Sequence, residues 1–315
     1  MVAEKGAERI GVSARLKPER STVPLSWLTV EVALYILIGM IAAGLRFYAL
    51  GAQPLGESEA AQALAAWRFH QGNLSATGYS PLLFLGNVFG FTLLGASEAM
   101  ARLVPALSGT VLSVLPYFLR RHLGRSGALV ASILLALSPS TLFFSRYLGG
   151  PIVVAACVLA VLVGFFGYLD SKQPKYAYLT AGALALSLSA DPMIYTFVLI
   201  FGTFLLLLGL VDRLAEVDMG WSAVLVAWRT AREEKDLLKN SALVLAVVLV
   251  LVCTAFLLNF AGLPVALDFL STWLAQLGPQ PDAVRPAHYG AQSWYYYLQL
   301  LVLYEPLILV FGLIG

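Results

Sequence analysis

The stretch RFYALGAQPLGESEAAQALAAWRFHQG, residues 46–72, is the first polar segment after the first long apolar run of the chain. It contains two carboxylates, Glu57 and Glu59. Carboxylates in a loop of this kind are candidates for acid–base chemistry. Whether they can act in that way depends on the class of protein and on what surrounds the loop.

The composition is that of a polytopic membrane protein. Hydrophobic residues make up 59% of the chain and charged residues 12%, and the mean hydropathy is +0.81. A soluble domain would carry about 25% charged residues, so the chain is expected to cross a bilayer several times. The chain has no basic tract of the kind that binds nucleic acid, so nucleic acid is not expected as a partner. Cys157 and Cys253 lie in apolar runs and are expected to be core residues, with no disulfide and no metal site.

The first 26 residues form a polar tail with five Lys and Arg, followed by an apolar run at 27–45. That run is longer than the core of a signal peptide and lacks a small-residue cleavage site, which predicts an uncleaved signal anchor. We expect a protein of the cell (inner or plasma) membrane with a cytoplasmic N-terminus.

The apolar run at 81–96 decides the topology of everything after it. It has 16 residues, fewer than the roughly 20 that cross the hydrocarbon core upright. If it does not cross, fifteen of the 20 Lys and Arg lie inside; if it crosses, only eight do. The positive-inside rule favours the first arrangement, so 46–102 is predicted to be one external loop with two surface helices.

These considerations predict an all-α fold with about eight spans and two outer interfacial helices in a domain of residues 27–315. The first surface helix, around 59–71, places Ala60, Leu64 and Trp67 on one face, and the second is 81–96. The predicted spans are 27–45, 103–119, 127–144, 152–168, 176–190, 193–211, 241–260 and 298–315.

Two further segments lie between the predicted spans. Residues 212–240 form a charged cytoplasmic segment, in which Trp221, Val224, Leu225 and Trp228 share the face of a helix expected to lie on the inner leaflet. Residues 261–293 form an external loop that leads into the aromatic residues 294–297, an expected interface belt.

Three acids stand in or beside apolar runs. Glu31 is near enough to the headgroups to reach them, and Glu305 is expected to make a packing hydrogen bond inside the bundle. Asp191 precedes Pro192, an arrangement typical of a turn.

Three segments together resemble a known superfamily: GASEAMARLVPALSGT (95–110), LRRHLGRSGALVASILLALSPSTLFFSRY (119–147) and SWYYYLQLLVLYEPL (293–307). Their order and spacing are similar to those of the GT-C membrane glycosyltransferases, which include protein O-mannosyltransferases and the lipid A aminoarabinose transferase. The likeness is greatest to the flippase-associated glycosyltransferases and runs from about Arg46 to residue 315.

The resemblance implies an external active site under the first loop, where a sugar is transferred from a polyprenyl-phosphate carrier. In this superfamily an Asp of an Asp-Glu pair serves as base or metal partner, and a second acid follows the Ser-Arg stretch. A Lys in the turn after the fifth span meets the phosphate of the carrier in many members.

This chain departs from that pattern at all three places. The Asp-Glu pair is Ser58-Glu59, and the residues at 148–151 after the Ser-Arg stretch include no acid. The Lys turn is 189–191, which ends in Asp191. A serine has no usable basicity near neutral pH without an activating neighbour. The three departures together favour a fold that was kept after its chemistry was lost.

Two hypotheses follow, and membrane transport stays open as a third class, for which the chain shows no clear inverted repeat and no matching pair of interrupted helices. The first is a catalytically degenerate GT-C-like protein without a cofactor. It acts as an accessory or scaffold subunit of a larger membrane complex, for example a respiratory or photosynthetic one. Its partners are membrane lipids and other membrane proteins. The alternative is an active polyprenyl-phosphate-sugar transferase with Glu57 or Glu59 as the catalytic acid or base. In that case Arg46, Arg102 and Arg146 would bind phosphate or lipid, and a divalent metal would be needed.

Overall fold

The computed structural model describes most of the transmembrane domain, and every regular element in the described part is a helix. The predicted all-α class is therefore confirmed. The described residues are 29–215, 220–277, 302–306 and 310. The basic tail 1–26, the loop beyond 277, the aromatic residues 294–297 and most of the span 298–315 lie outside them.

The helices of the described ranges are numbered in chain order. They are α1 (Val30–Phe47), α2 (Glu57–His70), α3 (Pro81–Leu94), α4 (Glu98–Ala101), α5 (Leu103–Val114), a 3₁₀ turn (Leu115–Leu119), α6 (Arg120–Leu137), α7 (Pro139–Ser145), α8 (Pro151–Ser171), α9 (Pro174–Leu188), α10 (Ile194–Ala215), α11 (Trp221–Glu233), α12 (Lys235–Cys253) and α13 (Gly262–Leu277).

Five helical stretches of the described chain are long and apolar enough to cross a membrane. Helix α9 lies at a predicted span, but its 15 residues are fewer than those of any of the five. The chain is thus a polytopic helical membrane protein. The five stretches are Val30–Phe47, Leu103–Leu137, Pro151–Ser171, Ile194–Leu214 and Asp236–Cys253.

The second of these stretches folds back on itself. Gly124 interrupts it with a φ of 74° and a ψ of 160°, a conformation that favours glycine. Near the start of α1, Glu31 lies 3.8 Å from Arg120, and near its end Arg46 donates to the carbonyl of Ala136. Since both ends of α6 meet the matching ends of α1, α6 runs parallel to α1. Helix α5 runs antiparallel to α1, because Gly109 lies against Arg46 and Val114 lies against Gly39. The stretch therefore forms two legs of a hairpin.

Two predicted spans have different bounds in the structure. The span predicted at 127–144 ends at Leu137, because Ser138 caps a new helix and Pro139 cannot continue the old one. The span predicted at 241–260 is α12, which begins at Lys235 and ends at Cys253. It ends early because residues 255–257 all have positive φ values, between 45° and 67°.

The bundle has two ends with different chemistry. The loop end contains residues 46–102, the start of α8 and the turn between α9 and α10. The basic end contains residues 120–125 and 172–175. The two helices α8 and α9 run antiparallel between them, since Gly150 lies against Ala190 at the loop end and Gly167 lies against Tyr176 at the basic end.

Helix α3 lies across the loop end. Its Leu82 N–H donates to the carbonyl of Ser189 (3.0 Å), and Phe89 contacts Phe256 beyond α12 (centroids 5.7 Å apart). Helix α2 packs on α3 through the rings of Phe69 and Phe84, 5.4 Å apart. Together α2 and α3 form a layer of helices over the ends of the long ones.

Two amphipathic helices complete the described part. The predicted helix in 212–240 is α11, where the Trp221 ring lies against Gly209 of α10 and Trp228 is exposed. The predicted external loop 261–293 contains α13, whose Trp273 indole donates to Thr196 Oγ1 (2.9 Å) at the loop end.

Candidate active site at the loop end

Glu59 is the best-connected acid of the loop end. It lies in the first turn of α2 and is 3% exposed. Its Oε1 accepts from Arg102 Nε (2.8 Å) and the Leu148 amide (2.7 Å), and its Oε2 accepts from Arg102 Nη2 (2.8 Å) and the Gly56 amide (2.9 Å). A carboxylate has about four lone-pair sites, so these four donors occupy all of them.

This environment keeps Glu59 ionised. Burial acts to raise the pKa of its carboxyl, but the hydrogen bonds from Arg102 and from the Leu148 and Gly56 amides outweigh burial, and the pKa is lowered. An ionised carboxylate whose lone pairs are all engaged is a poor proton acceptor. The geometry makes Glu59 a structural anion.

All the hydrogen-bond donors of the Arg102 side chain are also engaged. Besides two bonds to Glu59, it donates to the carbonyls of Leu50 (3.2 Å), Gln53 (2.9 Å) and Pro54 (3.1 Å). A guanidinium has five N–H donors, and five bonds engage them. The buried pair thereby ties the chain entering α2 to the start of α5.

Ser58 meets the segment in which a second acid would be expected. Its hydroxyl lies 2.5 Å from that of Tyr147. The neighbouring Tyr79 hydroxyl donates to the carbonyl of Leu148 (2.8 Å), and burial raises the pKa of Tyr79 to about 12. The hydroxyl groups of Ser58, Tyr79 and Tyr147 thus meet between the two altered positions.

Asp191 reaches the same region, which the sequence reasoning missed. Its Oδ1 accepts from the Met193 amide (2.9 Å), as expected of a turn. A methyl group on Gly150 would come within 2.7 Å of its Oδ2, so the carboxyl lies directly against the residues after the Ser-Arg stretch. Burial raises the pKa of Asp191. The glycine pair 149–150 was the available signal, because glycine permits a close approach.

Arg46 is fully buried at the end of α1. It donates to Ser145 Oγ (3.1 Å) and to the carbonyls of Leu135 (3.0 Å) and Ala136 (3.3 Å), and no carboxylate among the described residues pairs with it. A cation at these last carbonyls of α6 complements the negative end of the helix dipole.

Glu305 holds the other side of the same junction. It accepts from Ser138 Oγ (2.5 Å) and the Ser140 amide (2.9 Å) at the start of α7, where the helix dipole favours an anion. The α6–α7 junction is therefore held between a cation and an anion.

Arg146 and Glu57 complete the predicted set. Arg146 donates to the carbonyls of Leu45 (3.0 Å), Tyr48 (2.7 Å) and Ala49 (3.2 Å), and so closes the end of α1. Glu57 is exposed and lines a shallow cavity of the outer layer. All three arginines thus bind backbone carbonyls.

The described residues do not offer a metal-ligand set, since no three His, Cys, Asp or Glu side chains gather there. At the position of the expected metal partner stands Ser58, and Glu59 beside it is fully bonded.

The fold and this site together define a polytopic helical membrane protein with surface helices and an acid-containing loop over one end. Residues 80–229 match the family model described as dolichyl-phosphate-mannose-protein mannosyltransferase, a family of GT-C membrane glycosyltransferases. The predicted likeness to the GT-C superfamily is confirmed by this match. The matched range includes Arg146 and Asp191, whereas Ser58 and Glu59 lie before it. No curated protein and no solved structure matches the chain.

Proposed function

We propose that the protein is a catalytically degenerate GT-C-like membrane protein that serves as an accessory or scaffold subunit of a larger membrane complex, such as a respiratory or photosynthetic one. One observation carries the proposal: the carboxylate that remains of the Asp-Glu pair, Glu59, is buried and saturated by four N–H donors. A general base needs a free lone pair directed at its substrate.

The arginines support the same proposal. Phosphate recognition by arginine uses N–H groups that face the ligand, whereas Arg102 has all five engaged within the chain. Arg46 is wholly buried among carbonyl and hydroxyl oxygens. The cations that would meet a carrier phosphate hold the fold together instead.

Helix α10 supports a role in assembly. It carries a long row of exposed apolar side chains: Val198, Leu199, Ile200, Phe204, Leu206, Leu207 and Leu210. On the same helix, a Cβ at Gly202 would meet no atom of the chain within 4 Å. Small residues at such positions allow a partner helix to approach closely. We place a membrane-protein partner on this face, with lipids around the rest of the bundle.

The orientation belongs to the proposal as well. The basic end faces the cytoplasm and the loop end faces outward across the cell membrane, as the distribution of Lys and Arg favours. Cysteine labelling from either side, at Ser58→Cys and Ser171→Cys, tests this arrangement. Labelling of Ser171→Cys from outside intact cells would contradict it.

An active polyprenyl-phosphate-sugar transferase is the second candidate, and Asp191 favours it. Its carboxyl lies against Gly150 in the region of the expected second acid, and its pKa is raised by burial, which brings a carboxyl nearer to the range of a useful acid or base. In that reading Asp191 or the exposed Glu57 takes the catalytic role.

A transfer assay separates the two candidates. The purified chain is incubated with polyprenyl-phosphate-linked sugars and a mixture of acceptors, beside Glu57→Gln, Glu59→Gln and Asp191→Asn, with Asp268→Asn on α13 as an exposed control. We expect no turnover in any of them. Turnover that disappears in one of the first three variants and persists in the control would overturn the proposal.

Native purification tests the assembly role. We expect partner subunits to co-purify in a fixed ratio and to be lost in Gly202→Leu. The control is Gly182→Leu on α9, where an added Cβ would likewise meet no atom of the chain within 4 Å. A protein that purifies alone from native membranes would contradict a role as a subunit.

A further inference from the structure

A second cavity, of about 380 Å³, opens at the basic end, far from the candidate active site. It lies between the 3₁₀ turn, the start of α6 and the facing ends of α8 and α9. Its lining combines the basic residues Arg120, Arg121 and Lys175 with the aromatic residues Phe118 and Phe166. The cavity therefore offers both cationic groups and apolar surface.

The cations of this cavity exceed its available anions. Arg121 and Lys175 are exposed and form no ion pair among the described residues. The one acid of the lining, Asp170, lies 3.2 Å from His122 Nε2. Arg120 lies 3.8 Å from Glu31. With Arg120 paired, the two cations Arg121 and Lys175 still outnumber Asp170, so the cavity keeps a net positive charge that attracts an anion.

The walls of the cavity are held by close packing. The His122 ring contacts the Phe166 ring, with centroids 4.6 Å apart, which joins α6 to α8. A methyl group on Gly167 would come within 2.5 Å of the Tyr176 ring, so α8 and α9 are in tight contact beneath the opening. The cavity is thus formed before any ligand arrives.

The depth of the cavity points to a lipid. Along α8 its lining runs from Ser171, at the end of the helix, to Val163, which is about 12 Å at 1.5 Å per residue. That distance reaches from the headgroup region into the hydrocarbon. Phe118 on the opposite wall is 61% exposed, as suits contact with an acyl chain. A soluble anion would gain nothing from these apolar walls.

We propose that this cavity binds an anionic phospholipid. Arg121 and Lys175 contact its phosphate, and Phe118, Val163 and Phe166 contact its upper acyl chain. Basic pockets between spans attract acidic headgroups in this way, and the cytoplasmic leaflet is rich in such lipids. The inference rests on the proposed cytoplasmic position of the basic end, and it is independent of whether the loop end is catalytic.

The test measures binding of phosphatidylglycerol and phosphatidylcholine with identical acyl chains to the full chain in detergent, by native mass spectrometry. We expect phosphatidylglycerol to bind more tightly. Each lost cation should weaken its binding about five-fold, and the double variant Arg121→Gln/Lys175→Gln about 25-fold, with phosphatidylcholine binding unchanged. Lys239→Gln on α12 removes an exposed cation of the basic end that does not line the cavity, and should bind like the parent.

Three results would overturn the proposal. Equal binding of the two lipids would show that the headgroup charge is not recognised. An equal loss in Lys239→Gln and in either single cavity variant would show a diffuse attraction instead of a site. Competition by glycerol 3-phosphate at the concentration of the lipid itself would show a site for a soluble phosphate. The melting temperatures in phosphatidylcholine verify that the variants are folded.

Discussion

The substitution Glu59→Gln tests whether the buried carboxylate holds the loop end together. Glutamine retains one acceptor oxygen, but it turns an NH₂ group toward two of the donors that now bind the carboxylate. It also leaves Arg102 buried without its counter-ion. Removal of one partner of a buried ion pair costs about 3–5 kcal/mol. At about 2 °C per kcal/mol for a large domain, the melting temperature should fall by roughly 6–10 °C.

Thermal unfolding in detergent can be followed with a thiol-reactive fluorogenic dye. Both cysteines are free, Cys253 is buried and Cys157 is partly buried, so labelling reports the opening of the bundle. The matched control is Glu57→Gln, an exposed acid in the same turn of α2, which should change stability by less than about 0.5 kcal/mol.

The pH dependence sharpens this test. The pKa of Glu59 is lowered in the folded protein, so its contribution to stability is fully present above the ordinary glutamate pKa of about 4.3 and is lost as the pH falls through the lower folded value. The difference in melting temperature between the parent and Glu59→Gln should therefore narrow below about pH 4.

Two results would refute the reasoning. One is a melting temperature of Glu59→Gln equal to that of Glu57→Gln. The other is an unchanged melting temperature together with the loss of a measurable sugar transfer, which would make Glu59 a catalytic group instead of a structural one.

Two further substitutions probe the packing of the loop end. In Gly109→Ala the new Cβ would overlap Ser145 Oγ and lie 2.8 Å from Arg46 Nε, and such overpacking should cost about 1–3 kcal/mol. In Gly182→Ala on α9 the new Cβ would meet no atom within 4 Å, so this change should be neutral or stabilising by up to about 1 kcal/mol. The melting temperatures of the two variants are compared, and equal values would show that the contact of Gly109 with Ser145 and Arg46 is not tight. Tyr79→Phe removes the hydrogen bond to a buried backbone carbonyl and should cost about 1–2 kcal/mol; a melting temperature within error of the parent would show that water replaces that bond.

Much of the architecture could be predicted because it follows from local composition. Apolar runs of about 20 residues identify spans without knowledge of their neighbours, and α1, α8 and α10 lie where they were predicted. The exact ends of the helices depend on glycine, proline and capping residues, whose effect is harder to predict from the hydropathy of the sequence. Ser138 and Pro139 end the span predicted at 127–144 early, although its hydropathy continues past them.

The sequence by itself determined the helical membrane class, the GT-C likeness and the absence of the Asp at Ser58, since each depends on residue types along the chain. Only the tertiary structure decided what Glu59 and the arginines do. The donors to Glu59 come from Arg102 and Leu148, 43 and 89 residues away, and Asp191 meets Gly150 only where α8 and α9 lie side by side. Whether a carboxylate is a base or an anchor depends on which donors surround it, and folding brings those donors from distant parts of the chain.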